Sequence, residues 1–186
     1  MDRIFRDLLI LVFLIPGTGT AADAAPLALS GTVTRVIDGD TIDVALESGP
    51  IRVRLNGIDT PERGQPWGRQ ASAALAELVL SKRVEIEPFS QDRYERLVAN
   101  VFVGTLNVNY ALVARGHTWA YRRYLTRNNL ELCSLEAEAR SGRRGLWTLA
   151  PEARYAPWDW RKRPRQFVDY SRATAAMCKA ESRIRE

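Results

Sequence analysis

Between Ser30 and Asn56 apolar side chains recur with a period of two, and turn-forming residues break the runs. This alternation constrains the fold most, because successive side chains of a strand point to opposite faces. Ile42, Val44 and Leu46 alternate with polar or small neighbours, and Asp38-Gly39 just before them is a hairpin signal. Ser48-Gly49-Pro50 makes a second turn, after which Ile51, Val53 and Leu55 alternate with Arg52, Arg54 and Asn56. Arg52 and Arg54 therefore share a face opposite the three aliphatics. With the segment around Val33, the pattern predicts three strands in a meander.

After a loop from Thr60 to Gly68, rich in proline, glycine and charge, the period becomes helical. Ala71, Leu75 and Leu78 predict a short amphipathic helix through Leu80. Val84 and Ile86 mark a fourth strand, and Leu97, Ala99, Val101 and Val103 a fifth, joined by the polar stretch Gln91 to Arg96. Asn107 can cap a helix that stops at Gly116. Asn128 with Glu131 three residues on resembles a capping box for a helix carrying Leu132, Leu135 and Ala139. The expected fold class is α+β, mainly β: a five-stranded OB-fold Greek-key barrel with about three helices. Beyond Trp147, prolines and tryptophans precede a basic run from Arg161 to Arg165, which predicts an irregular C-terminal strap on the barrel. Ser171 to Arg185 is open between a helix and a disordered tail.

The chain has 186 residues, room for one well-packed domain with extensions. Residues 1–24 are expected to be a signal peptide: Arg3 and Arg6 precede an apolar run from Leu8 to Ile15, and Ala22-Asp23-Ala24 offers a cleavage pattern. Pro16-Gly17 stops that run short of the roughly 20 residues a membrane span needs. The expected mature protein is secreted or periplasmic, monomeric and without stable membrane association, with a domain over 28–162 and a C-terminal extension over 163–186. Losing the leader removes two arginines and three aspartates, so the formal net charge rises from +5 to +6. A basic surface suits a polyanion, although charge alone equally serves solubility. Cys133 and Cys178 are the two cysteines and His117 the one histidine, too few for a structural zinc site. An oxidising compartment favours one disulfide between the cysteines.

A single histidine also excludes paired-histidine mechanisms, and a packing or surface role suits His117 better than catalysis. Carboxylates and arginines fall in three clusters: Asp38-Gly39-Asp40-Thr41, Arg54 followed by Asp59-Thr60-Pro61-Glu62, and Asp92-Arg93-Tyr94-Glu95-Arg96. Singly, each reads as a turn or a solvated ion pair. Together, carboxylates at the ends of adjacent strands can converge on a hard cation, calcium or magnesium rather than zinc or copper. There is no Walker-type phosphate loop.

In these clusters the sequence resembles the staphylococcal nuclease, or thermonuclease, family from about Ser30 to Trp160. Glu136-Ala137-Glu138-Ala139-Arg140, Arg143-Arg144-Gly145-Leu146-Trp147 and Pro157-Trp158-Asp159-Trp160-Arg161 also resemble segments of its bacterial members. The resemblance implies calcium as cofactor, with Asp40 and Asp59 as its carboxylates and Thr60 beside them. Arg54 and Arg96 then hold the scissile phosphate and Glu62 is the general base. It implies an endonuclease acting on DNA and RNA without sequence preference, leaving 3′-phosphate and 5′-hydroxyl ends. Tyr94, Tyr121 and Tyr124 fall near tyrosines beside the nucleotide, Arg93 at a basic position there, each with packing or solvation as its plain alternative. Arg122 and Arg123 are open between holding the nucleic-acid backbone and forming a solvated pair. Where the family commonly has glycine before the second arginine, this chain has Glu95. The alternative function is a non-catalytic OB-fold nucleic-acid-binding module, which would not need the acidic and arginine positions.

Overall fold

The computed structural model describes residues 29–162, 168–170 and 172–182. The expected leader, residues 1–24, lies outside the described residues, as do residues 163–167, 171 and 183–186. Eight strands occur in the order β1 (Leu29–Val36), β2 (Thr41–Leu46), β3 (Gly49–Leu55), β4 (Ile58–Asp59), β5 (Arg83–Gln91), β6 (Leu97–Val103), β7 (Leu106–Asn107) and β8 (Trp119–Ala120). Five of them close a barrel in the order β3-β2-β1-β5-β6, sealed by a parallel pairing of β3 with β6. The period-two pattern sets the register: Val33 faces Val44, Ile42 faces Val53 and Ile86 faces Val101. Those six, with Leu55, Val84 and Ala99, are buried. Each such aliphatic contributes about 1.5–3 kcal/mol relative to an exposed position.

The parallel seam has a device that the sequence did not advertise. Asn109 is fully buried; its Nδ2 donates to the carbonyls of Asn56 (3.0 Å) and Ala99 (3.2 Å), and its Oδ1 accepts from Val101 N (3.1 Å). One amide thus bridges backbone groups where β3 leaves β6, adding a second donor to the Ala99 carbonyl, which also accepts from Asn56 N at 2.8 Å.

Helix α1 (Gly68–Val79) buries Ala71, Leu75 and Leu78 as their spacing predicts. Helix α2 (Val108–Ala114) is capped by Asn107, whose side chain accepts from Tyr110 N at 3.2 Å. It stops at Gly116, where φ is 74° and a Cβ would lie 2.2 Å from the Arg144 carbonyl. Helix α3 (Glu131–Ser141) begins differently from expectation. The capping box is made by Thr126 and Asn129 on a 3-10 turn, Arg127–Asn129, and not by Asn128 and Glu131. The intervening turn moves the capping position upstream, so α3 itself starts without a side-chain cap.

The strap packs against β8 and α3, and not directly on the barrel strands as expected, through a second cluster of Trp119, Ala139, Leu146, Trp147 and Ala156, with Trp158 and Tyr170 against it. It contains the short helix α4 (Pro157–Trp160), and Ala175–Ser182 forms the terminal helix α5. His117 is half-buried and accepts from Trp67 Nε1 at 3.3 Å, a packing role. Arg122 is neither solvated nor free for a nucleic-acid backbone. It is 6% exposed and donates to the buried Glu136, which also takes Arg140 and the backbone N–H of Ala120.

Cys133 on α3 and Cys178 on α5 form a disulfide with a Cα–Cα distance of 5.7 Å, closing a span of 45 residues. Replacing both cysteines by alanine is expected to cost about 2–4 kcal/mol, through the freedom returned to the unfolded chain. Urea unfolding under non-reducing conditions checks this, and an unchanged midpoint would show that the bridge adds nothing.

Candidate active site

The first hairpin shapes one wall of the site. Asp38 Oδ1 accepts from Asp40 N at 3.1 Å, an Asx turn that aims the Asp40 carboxylate inward. Gly39 lets the next loop approach, since a Cβ there would lie 2.9 Å from the Thr60 side chain. Thr60 accordingly donates twice to Asp40 Oδ2, from N at 2.9 Å and from Oγ1 at 2.6 Å. Asp59 enters from β4, held against β8 by its register with Trp119 and by a hydrogen bond from Thr118 Oγ1 to its carbonyl.

Arg54 links the two acids. Its Nε lies 3.1 Å from Asp40 Oδ1, its Nη2 donates to Asp59 Oδ1 at 3.3 Å and its Nη1 to the Leu55 carbonyl at 2.9 Å. Asp40, Asp59 and Thr60 are all at most 5% exposed. Burial pushes the Asp59 carboxyl up to about 6, against the guanidiniums beside it. Asp38 also rises to about 6, through burial and the neighbouring Asp40 charge.

Glu62 joins the group through a residue that the sequence reading left in the strap. Arg161, just after α4, puts Nη1 at 3.2 Å from Asp59 Oδ1 and Nη2 at 2.7 Å from Oδ2. Its Nη1 is also 2.7 Å from Glu62 Oε1, and its Nη2 is 3.5 Å from the Tyr121 hydroxyl. Burial works against this guanidinium's charge, but hydrogen bonding to Asp59 and Glu62 outweighs it and its pKa rises. The Tyr121 ring stacks on Trp158 with centroids 5.6 Å apart, and Tyr124 meets it edge-on at 4.7 Å.

Arg93, Tyr94 and Arg96 form a second group, on the turn between β5 and β6. Asp92 Oδ2 accepts from Arg96 Nε at 2.8 Å and Oδ1 accepts from Arg96 N at 3.0 Å. Tyr94 is 63% exposed beneath the guanidiniums of Arg93 and Arg96. Glu95 has φ of 62°, so a side chain occupies a left-handed position that favours glycine. It lines a shallow depression with Arg52, Tyr94 and Arg96. The two groups are neighbours: Arg54 pairs with Val98, two residues beyond Arg96.

The donor chemistry suits a hard cation. Among the described residues no three His, Cys, Asp or Glu side chains form a ready-made cage. Two buried carboxylates with Thr60 are all-oxygen donors, and calcium, which takes six to eight oxygens, would complete its shell from water or substrate.

The family described as staphylococcal nuclease homologue matches residues 52–149. "Protein ParB" of Escherichia coli is 42% identical over 150 residues, covering 76% of this chain and 84% of that protein. An "uncharacterized endonuclease" of Escherichia coli is 40% identical over 136 residues, covering 73% and 86%. A "micrococcal nuclease" of Shigella flexneri is 39% identical over 141 residues, covering 71% and 80%. The closed barrel, the carboxylates at its strand ends and these matches lead to one conclusion: the chain belongs to the staphylococcal nuclease family.

Proposed function

We propose that the protein is a calcium-dependent, sequence-nonspecific endonuclease that hydrolyses DNA and RNA to 3′-phosphate and 5′-hydroxyl ends. The observation that carries the reading is Arg54 held between two buried carboxylates, Asp40 and Asp59, with Thr60 locked onto Asp40. A set of this kind has no use in a module that only binds. Asp40, Asp59 and Thr60 would hold the cation. When bound, calcium supplies charge neutralisation and Lewis acidity at a phosphoryl oxygen.

This chain's own groups do the rest. Arg54 donates from Nη1 and Nη2 to Leu55 and Asp59 and faces Asp40 through Nε as an ion pair, and the second N–H on each Nη can serve phosphate oxygens. Arg96 is aimed by Asp92 and adds a second guanidinium, so donors are in place before negative charge grows on those oxygens. Glu62, on the loop rim and 43% exposed, can accept the proton of an attacking water. Water then bonds to phosphorus, the 5′ oxygen leaves with the bond pair and takes a proton from solvent, and the phosphate stays on the 3′ oxygen. Tyr94 and Tyr124 are exposed and can stack on bases, a contact of about 1–3 kcal/mol that tolerates any base. Tyr121 offers its hydroxyl edge, since one ring face lies on Trp158. Arg93 donates to the Tyr94 hydroxyl at 2.6 Å and supports that platform.

A DNA zymogram is expected to clear in calcium and stay dark in chelator. No clearing, together with a retained gel shift, would instead identify a binding module.

Glu95 is expected to slow this site. Left-handed backbone costs a non-glycine residue about 1–2 kcal/mol. A carboxylate beside Arg96 also opposes the incoming phosphate by about 1 kcal/mol in a solvent-like dielectric. Glu95→Gly should raise kcat/KM several-fold at low salt, with a smaller gain at high salt. Cleavage of a short single-stranded oligonucleotide at two ionic strengths checks it; a lower rate at both would mean that Glu95 supports the site.

We also propose export, supported by the leader composition of residues 1–24 and by a disulfide suited to an oxidising compartment. Among the described residues no helix is long and apolar enough to cross a membrane. N-terminal sequencing of the purified protein should read from near Ala25, and an intact Met1 on a membrane-bound product would contradict cleavage.

A further inference from the structure

We propose that Arg161 is a tethered counterion: it occupies Asp59 and Glu62 until calcium displaces it, and it is then a third guanidinium for the substrate. The inference rests on the metal-dependent reading above. Its basis is that Arg161 covers both oxygens of Asp59, at 3.2 and 2.7 Å, and one oxygen of Glu62 at 2.7 Å. A cation that binds Asp59 must take an oxygen from this fork, and the same fork occupies the Glu62 oxygen that a water would meet.

Charge drives the exchange. Asp40, Asp59 and Glu62 face Arg54 and Arg161, with the Asp38 carboxyl beside Asp40. A dication held at Asp59 supplies the charge that Arg161 supplies in its absence and repels the adjacent guanidinium. Arg54 is 13% exposed and pinned by three contacts, whereas the Arg161 side chain is 41% exposed on a long stem.

The strap beneath does not need the fork. Ala156 is fully buried, Trp158 packs on Trp119 with centroids 5.7 Å apart, and Tyr170 donates to Asp159 at 2.8 Å. The guanidinium can therefore leave while its backbone stays. Beside it lies a groove of about 520 Å³ lined by Tyr121, Arg122, Arg123, Trp158 and Lys162, where Glu181 pairs with Arg122 and the Arg123 and Lys162 cations can meet a phosphate.

Calcium affinity is lowered by the fraction of molecules in which Arg161 sits on Asp59. The experiment is calcium titration calorimetry on chelator-stripped full chain, as wild type, Arg161→Gln and Arg161→Lys, with kcat/KM on a single-stranded oligonucleotide at saturating calcium. Arg161→Gln should bind calcium about tenfold tighter, for a competent fraction near one in ten. Its kcat/KM should fall about tenfold, the loss of one charge-assisted hydrogen bond. Arg161→Lys should lie between on both scales, and it carries the test if the glutamine variant does not fold. Damage to the strap would loosen the metal site, so tighter binding with slower cleavage is not what a structural role produces. Equal or weaker calcium binding in both variants overturns the proposal, as does unchanged kcat/KM at saturation. If wild type and variants all take up no calcium, the metal-dependent reading falls too, which separates the two failures.

Discussion

Asp40→Asn is expected to lower turnover by about 10³-fold or more, because it removes one of two anionic ligands from a cation worth several kcal/mol to the transition state. The fold should survive with a measurable loss. Asp40 is 5% exposed and accepts from Thr60 while facing Arg54 at 3.1 Å. Asparagine keeps an acceptor for Thr60 but not the charge for Arg54, a cost of about 1–3 kcal/mol. Asp40→Ala leaves Arg54 and Thr60 both short of a partner and should cost more, about 3–5 kcal/mol. Single-turnover cleavage and urea midpoints measure the two effects separately. Wild-type turnover in Asp40→Asn would move the cation elsewhere.

Arg54→Lys is the second large effect. Lysine keeps the positive charge, but its single ammonium cannot span Asp40, Asp59 and a phosphate together. Loss of preorganised donors to a developing charge costs about 10²–10³ in kcat. KM should change much less, since the interaction strengthens mainly as negative charge develops on the phosphoryl oxygens. A rise in KM with kcat intact would show that Arg54 contributes ground-state binding only.

The barrel was legible wherever a period ran long enough to be seen. Val33, Ile42, Val44, Val53, Ile86 and Val101 alternate as their strands require, and all are buried. The two-residue strands β4, β7 and β8 carry no period, so nothing in Ile58–Asp59 or Trp119–Ala120 marked them as paired. Asn109 likewise stands inside a helical pattern that does not reveal its service to the seam. The capping box expected at Asn128 for α3 stands two residues earlier, at Thr126, and caps the preceding 3-10 turn, whose spacing mimics a helix start.

At the site, Asp40, Arg54, Asp59 and Thr60 were legible because turn chemistry and strand ends place them together. Glu95 stood out in the sequence only as a departure from the resemblance, and its φ of 62° supplies the physical meaning of that departure. Arg161 was not legible. It is 102 residues from Asp59 along the chain, and an irregular strap of prolines and tryptophans offers no period from which its direction can be inferred. Arg122 beside an exposed Arg123 read as one surface pair, yet only burial by α3 and α5 distinguishes it.

The central claim is that cleavage runs through a cation held by Asp40, Asp59 and Thr60. Its most direct test is calcium-dependent cleavage of an end-labelled single-stranded DNA by chelator-stripped protein, followed alongside calcium binding in the same samples. The account predicts no cleavage without calcium, a rate that saturates in step with occupancy, and a 3′-phosphate on the product. Undiminished cleavage in excess chelator, by protein shown to be metal-free, would contradict it.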